Sequence, residues 1–300
     1  MRRRFLPPAI GLIVAFGLLI PGAAYAQGNG RPKAPKANPN TTTPSSSETS
    51  ASPSTPTLDG SVSVSSYRQF GSWLDDASSS YRGESYASLG IGYWRLAETS
   101  QINAPMLGMG WGVSDRVQVS ASVPFYHSTY GGTTASGLDD VYFGAKYTIV
   151  DPTLTLSEFG LAFNPVVEVL SAGNPDGRVH FALPVNVELR RQPFRAYGSA
   201  GYFTRGSVFT GGAIEWTGTR MILTGSLTQS YSIKSDAMLD GMGVGKQNVN
   251  VSGAVAVPVS DRMAAFVNVG RSLSPIEEGG TRLALSGGVS IRFSAVTATP

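Results

Sequence analysis

From Ser85 onward apolar and polar residues alternate with a period of two. In Asn248–Ser260 the valines occupy 249, 251, 255, 257 and 259, while Asn248, Asn250, Ser252 and Ala254 fill the other face. Arg178–Arg190 sets Val179, Phe181, Leu183, Val185, Val187 and Leu189 against Arg178, His180, Asn186, Glu188 and Arg190. Thr281–Phe293 repeats the arrangement, with Leu283, Leu285, Val289, Ile291 and Phe293 opposed to Arg282, Ser286, Ser290 and Arg292. Alternation at 180° per residue predicts strands with one apolar and one polar face.

Twelve such segments can be drawn: 85–97, 103–113, 115–127, 138–150, 156–170, 178–190, 194–205, 207–217, 219–233, 246–260, 261–273 and 281–293. Most exceed the usual 5–6 residues of a soluble strand and suit a tilted membrane-spanning one. The links at 114–115, 151–155, 191–193, Gly218 and 260–261 are tight, whereas 128–137, 171–177, 234–245 and 274–280 are longer. Gly206 breaks this rule by being short. Short turns at one end and longer loops at the other predict an all-β, antiparallel outer-membrane β-barrel of about twelve strands. An even strand count places both termini on the short-turn, periplasmic side. Pro165 and Pro184 fall inside drawn strands, where each removes a ladder hydrogen bond and implies a bulge or break. Gly-Val-Ser-Asp-Arg at 112–116 and Pro-Val-Ser-Asp-Arg at 258–262 occupy corresponding turns, one hairpin solution used twice.

The barrel, residues 85–293, is preceded by three segments of different character. Residues 1–26 combine Arg2–Arg4, an apolar run Ala9–Ile20 and Ala24-Tyr25-Ala26, the pattern of a cleaved signal peptide for secretion. Residues 27–57 are rich in Pro, Ser, Thr and Asn and read as a disordered tether. Residues 58–84 form either a periplasmic strap or a partial plug, and 294–300 a short periplasmic tail.

Composition then removes alternatives. The chain of 300 residues has no cysteine, which excludes disulfides and Cys-type metal sites. Its formal charge of +3 would suggest nucleic acid. Three arginines leave with the signal, however, and the tether holds Arg31, Lys33 and Lys36 against Glu48. The body from Leu58 is slightly acidic, and no nucleic-acid partner is expected. After residue 26 no run of 18 apolar residues occurs, so helical spans are excluded.

Gly112–Ile149 carries a family likeness. Gly-Val-Ser-Asp-Arg-Val-Gln-Val-Ser-Ala-Ser-Val-Pro-Phe-Tyr at 112–126 and Gly-Leu-Asp-Asp-Val-Tyr-Phe-Gly-Ala-Lys-Tyr at 137–147 resemble the outer-membrane transporter-like family of the meta-pathway of phenol degradation. Asp139 stands where that family has a second glycine, while Asp140 and Lys146 hold the matching polar places. The resemblance covers some forty residues and implies a porin-like outer-membrane channel for small, hydrophobic or aromatic molecules. It also implies a Gram-negative outer membrane, lipid around the barrel, and the barrel assembly machinery as a partner. Phe293 is placed to act as the terminal aromatic that this machinery reads, although seven residues follow it.

With apolar faces toward lipid, the candidate lumen-lining residues are Asp140, Tyr142, Lys146, Glu158, Glu168, Arg178, His180, Glu188, Arg190, Glu215, Arg220, Arg262, Phe266 and Arg282. Tyr126, Asn164, Asn186, Asn268 and Arg292 share that parity. Lys146 with Asp140, and Arg178 with Glu188 or Glu168, are the expected lumen pairs. Tyr81, Tyr86, Tyr93, Trp94, Trp111, Phe125, Tyr126, Tyr147, Phe159, Trp216, Tyr231 and Phe293 lie mostly near segment ends, as interfacial girdles require. Catalysis has thin support. His127 and Ser128 are adjacent and face opposite sides of a strand, and two histidines make no metal cluster. Asp75-Asp76 and Asp139-Asp140 could hold a hard cation, without a spaced loop motif to support it. No cofactor is expected. Three functions remain: a passive channel first, then a closed structural barrel whose loops 128–137 and 234–245 meet a partner, and remotely an outer-membrane hydrolase.

Overall fold

The computed structural model describes residues 74–96, 99–152, 158–170, 179–234, 246–276 and 280–294. They form fourteen antiparallel segments: β1 (Glu84–Arg95), β2 (Thr99–Ser114), β3 (Val117–Tyr130), β4 (Thr133–Leu138), β5 (Val141–Val150), β6 (Phe159–Phe163), β7 (Val166–Val169), β8 (Val179–Arg191), β9 (Phe194–Phe203), β10 (Ser207–Thr217), β11 (Ile222–Ser232), β12 (Gln247–Ser260), β13 (Met263–Ser272) and β14 (Leu283–Ser294). Two staves of the barrel are each broken once. β3 pairs with β5 over Val117–Ser122 and with β4 over Phe125–Tyr130, so β4 and β5 are one stave interrupted at Asp139-Asp140. β5 and β8 both pair with β6 and with β7, so these too are one stave, interrupted at Asn164-Pro165. Fourteen segments therefore make twelve staves. β1 pairs with β14 from Glu84↔Ser294 to Arg95↔Leu283, closing the sheet without an edge.

Burial is inside out. Outward positions are apolar and open, including Leu89, Leu183, Leu227 and Val267, while inward Lys146, Glu168, Asn164 and Asn186 are fully buried. This is the parity read from the sequence. Trp111, Tyr147, Phe159, Phe194, Trp216 and Phe293 are exposed outward near the short-turn end and form an aromatic band there. Tyr86 and Trp94, expected in such a band, face the lumen instead: they have the other parity, and only 2% and 3% of each is exposed.

Pro165 does break its stave, because its missing N–H interrupts the ladder; its carbonyl still accepts from Ala145 N at 3.0 Å. Pro184 sits within the unbroken β8. The expected loop 128–137 is mostly strand. β3 continues to Tyr130, turns through Gly131-Gly132, both with positive φ, and returns as β4. The two Val-Ser-Asp-Arg turns are alike in detail. Each follows a register shift, at Gly112/Ser114 and at Pro258/Ser260, and each serine Oγ accepts the arginine N–H at 3.3 Å.

Candidate functional site

The candidate site is the lumen, and chain preceding β1 occupies part of it. Leu74–Ser80 lie buried inside the barrel toward the short-turn end. Asp75 N donates to Ser199 Oγ at 2.8 Å, and Ser199 Oγ donates back to Asp75 O at 3.0 Å. Ala77 N and Ser78 Oγ donate to Glu188 at 3.2 and 2.8 Å, Ser80 N donates to Gln118 Oε1 at 2.7 Å, and Thr148 Oγ1 donates to Ala77 O at 3.0 Å. Polar backbone in a lumen needs such partners, and the wall supplies them from β3, β5, β8 and β9.

An ion-pair network surrounds this segment. Lys146 Nζ lies 2.9 Å from Asp75 and 3.1 Å from Asp76, with all three fully buried. Arg195 reaches Glu215 at 3.3 Å, Asp76 at 3.4 Å and Glu188 at 3.8 Å. Arg190 pairs with Glu188 at 2.8 Å, and Asn164 Nδ2 donates to Asp75 at 3.0 Å. Buried charges are tolerated because every acid here has a cation or amide against it. Asp75 and Asp76 thus contact protein cations, not the hard cation considered from the sequence.

Toward the long-loop side the same half of the barrel is filled by apolar side chains. Tyr142, Val166, Ala182, Phe203 and Phe209, from β5, β7, β8, β9 and β10, make one buried cluster. Polar groups rim it: Tyr142 OH donates to Glu168 at 2.7 Å, Arg205 lies 3.5 Å from Glu168, and His180 meets Phe203 edge-on at 6.2 Å. Asp139 accepts from Asn103 at 2.9 Å and from Gln101 at 3.3 Å.

The inward candidates Asp140, Tyr142, Lys146, Glu168, His180, Glu188, Glu215 and Phe266 are all buried inside the barrel, and Arg190 is half-buried. Four others are not on the wall. Glu158, Arg220, Arg262 and Arg282 are exposed one or two residues before β6, β11, β13 and β14 begin. The drawn segments ran past the true strand starts, so parity assigned a face to residues that belong to turns and rims. Arg178 lies outside the described residues, as do 171–177 and 235–245 of the longer loops. Of the expected pairs, those of Arg178 with Glu188 or Glu168 therefore lie outside the described residues, and that of Lys146 with Asp140 differs. Lys146 meets Asp75 and Asp76 and not Asp140, which is six positions along the same stave, roughly 20 Å away. Glu188 pairs with Arg190 and Arg195, and Glu168 with Arg205. Arg195 had inward parity from the start, whereas nothing in the sequence joins Asp75-Asp76 to a lysine 70 residues away.

A closed twelve-stave barrel with an apolar outer wall and a polar lumen has the fold of the outer-membrane channels. Among solved structures, a COG4313 outer membrane channel from Pseudomonas putida F1 superposes with a TM-score of 0.53 at 10% identity, over 71% of this chain and 96% of that one. The NanC porin gives 0.50 at 9%, over 68% and 98%, and the KdgM porin 0.46 at 10%, over 69% and 99%. No protein-family model matches the sequence, and no curated protein matches it significantly.

Proposed function

We propose that the protein is a passive outer-membrane channel for small molecules, with hydrophobic and aromatic compounds as the solutes to try first. The observation that carries this is a closed barrel whose inward face stays partly accessible: Ser88, Thr224, Ser226, Ser252, Ser286 and Ser290 are all half-buried inside it. A barrel sealed throughout would leave none of them open. The phenol-pathway likeness of residues 112–149 supports the choice of solutes, and the channel neighbours support the class. The same proposal places residues 1–26 as a cleaved leader, 27–57 as a tether, and both termini in the periplasm. It makes the assembly machinery the partner that inserts the barrel, and passage needs no catalytic residue.

A closed structural barrel is the second reading, favoured by Leu74–Ser80 and the apolar cluster filling one half of the lumen. Purified protein in liposomes separates the two. Osmotic swelling should proceed with small uncharged solutes at rates well above those of empty vesicles. Vesicles holding folded, heat-modifiable barrel that swell no faster than empty ones would leave only the structural reading.

A further inference from the structure

The lumen is divided lengthwise. The hydrogen-bonded wall partners described above for Leu74–Ser80 lie between β3 and β10, with Gly112 of β2 beside Ser80, and the Tyr142–Phe209 cluster lies in the same half. Most inward side chains in this half have no room around them: Ser122, Ala162, Lys146, Glu168, Ala182 and Glu188 are each at most 1% exposed, while Arg190 near the short-turn mouth is half-buried. In the other half, from β11 through β14 to β1 and β2, most inward residues are small and several on β11, β12, β14 and β1 stay half-open, beside two smaller buried clusters, Ile222–Ala256–Phe266 and Trp94–Ala284.

The large side chains of that second half are laid against the wall. Phe266 on β13 lies over Gly288 of β14, where an added Cβ would fall 2.6 Å from its Cζ. Tyr86 on β1 covers Gly110 of β2, and Trp94 folds over Gly92 of its own strand; a Cβ at either glycine would overlap the ring. Glycines beneath the rings therefore let aromatic bulk lie against the wall. The open positions form a hydroxyl-bearing strip: Ser226 Oγ lies 2.6 Å from Ser252 Oγ, and Ser88 pairs in register with Ser290. Among the described residues of β11–β14, β1 and β2, the charged inward side chains are Glu84 and Arg292, both at the short-turn mouth.

We infer that solutes pass along this half alone, over the serine strip of β11, β12, β14 and β1, and that the path takes uncharged polar molecules in preference to ions of the same size. Leu74–Ser80 is then part of the filled half and does not have to move for passage. The inference rests on the channel reading above.

The chain's lack of cysteine makes the test clean. Ser226→Cys and Ser290→Cys probe the open strip; Ser122→Cys and Ala182→Cys probe the filled half, and Ser122→Cys is near-isosteric if Ala182→Cys fails to fold. A water-soluble, membrane-impermeant methanethiosulfonate is applied to heat-modifiable barrels in vesicles, and both labelling rate and swelling are read. Reaction at 226 and 290 should be at least about tenfold faster than at 122 and 182, because reactivity follows access. Labelling there should cut uptake of a neutral polyol by more than half, and unlabelled barrels should pass that polyol faster than a carboxylate of equal size. Equal rates in both halves, unchanged uptake after labelling, or faster carboxylate passage would each overturn the inference. Absence of swelling in unlabelled wild-type vesicles would instead overturn the channel reading, while the labelling ratio still decides whether the lumen is divided.

Discussion

Lys146 is a single charge held between two carboxylates, all three fully buried, with Ser78 O accepting a further bond at 2.9 Å. Removing one member of such a set leaves uncompensated charge, at about 3–5 kcal/mol. Lys146→Met is expected to lower the temperature at which the barrel loses its compact gel migration. Asp75→Asn and Asp76→Asn added to Lys146→Met should restore most of the loss, since the charges then vanish together. A triple variant no more stable than the single one would refute this account of the network. Lys146 was legible as an inward residue from strand parity, but its partners were not, because they precede the first strand and come to it only through folding.

At the scale of elements, the twice-used Val-Ser-Asp-Arg turn has one physical explanation. A bulge swings the strand end, and the serine hydroxyl takes the N–H groups that the bulge frees; Ser114 Oγ also accepts from Val117 N at 3.1 Å. Ser114→Ala and Ser260→Ala should each cost about 1 kcal/mol, and their effects should add because the turns are far apart. Urea unfolding of the single and double variants in lipid checks both statements; strong non-additivity would mean the turns are coupled. The glycine under Phe266 gives a second element-scale expectation. Gly288→Leu should destabilise the barrel, since its Cβ would overlap Leu89 O of β1 and fall 2.6 Å from Phe266 Cζ. Loss of compact gel migration at a lower temperature than wild type checks this; unchanged migration would show that the β1–β14 seam can give way.

For the whole molecule, two fillings share one half of the lumen: the Leu74–Ser80 segment near the short-turn end and the aromatic cluster beyond it. Deleting residues 58–80 should therefore raise uptake only modestly, by less than about twofold, because the buried cluster of Tyr142, Val166, Ala182, Phe203 and Phe209 still fills that half. A large increase would mean that the segment itself is the barrier. The deletion should also destabilise the barrel, since Glu188 loses the Ala77 and Ser78 donors and Lys146 loses both carboxylates.

What the amino-acid order settled by itself was the wall. Side chains alternate across a strand, and a bilayer demands apolar groups on one face and paired backbone throughout, so parity alone predicts strand number, lipid face and lumen face. It marked Pro165 and Pro184 alike, and only Pro165 breaks its stave. It could not say where strands begin to within two or three residues, which cost Glu158, Arg220, Arg262 and Arg282 their places on the lumen wall. Nor could it show which inward residues meet. Closure of β1 on β14 and the inward course of Leu74–Ser80 bring together residues more than a hundred positions apart, as with Asp75 and Ser199. Period-two alternation is a property of each strand alone. The division of the lumen into a filled half and an open one depends on how twelve staves and one inserted segment share a single enclosed volume, and only the tertiary structure decides that.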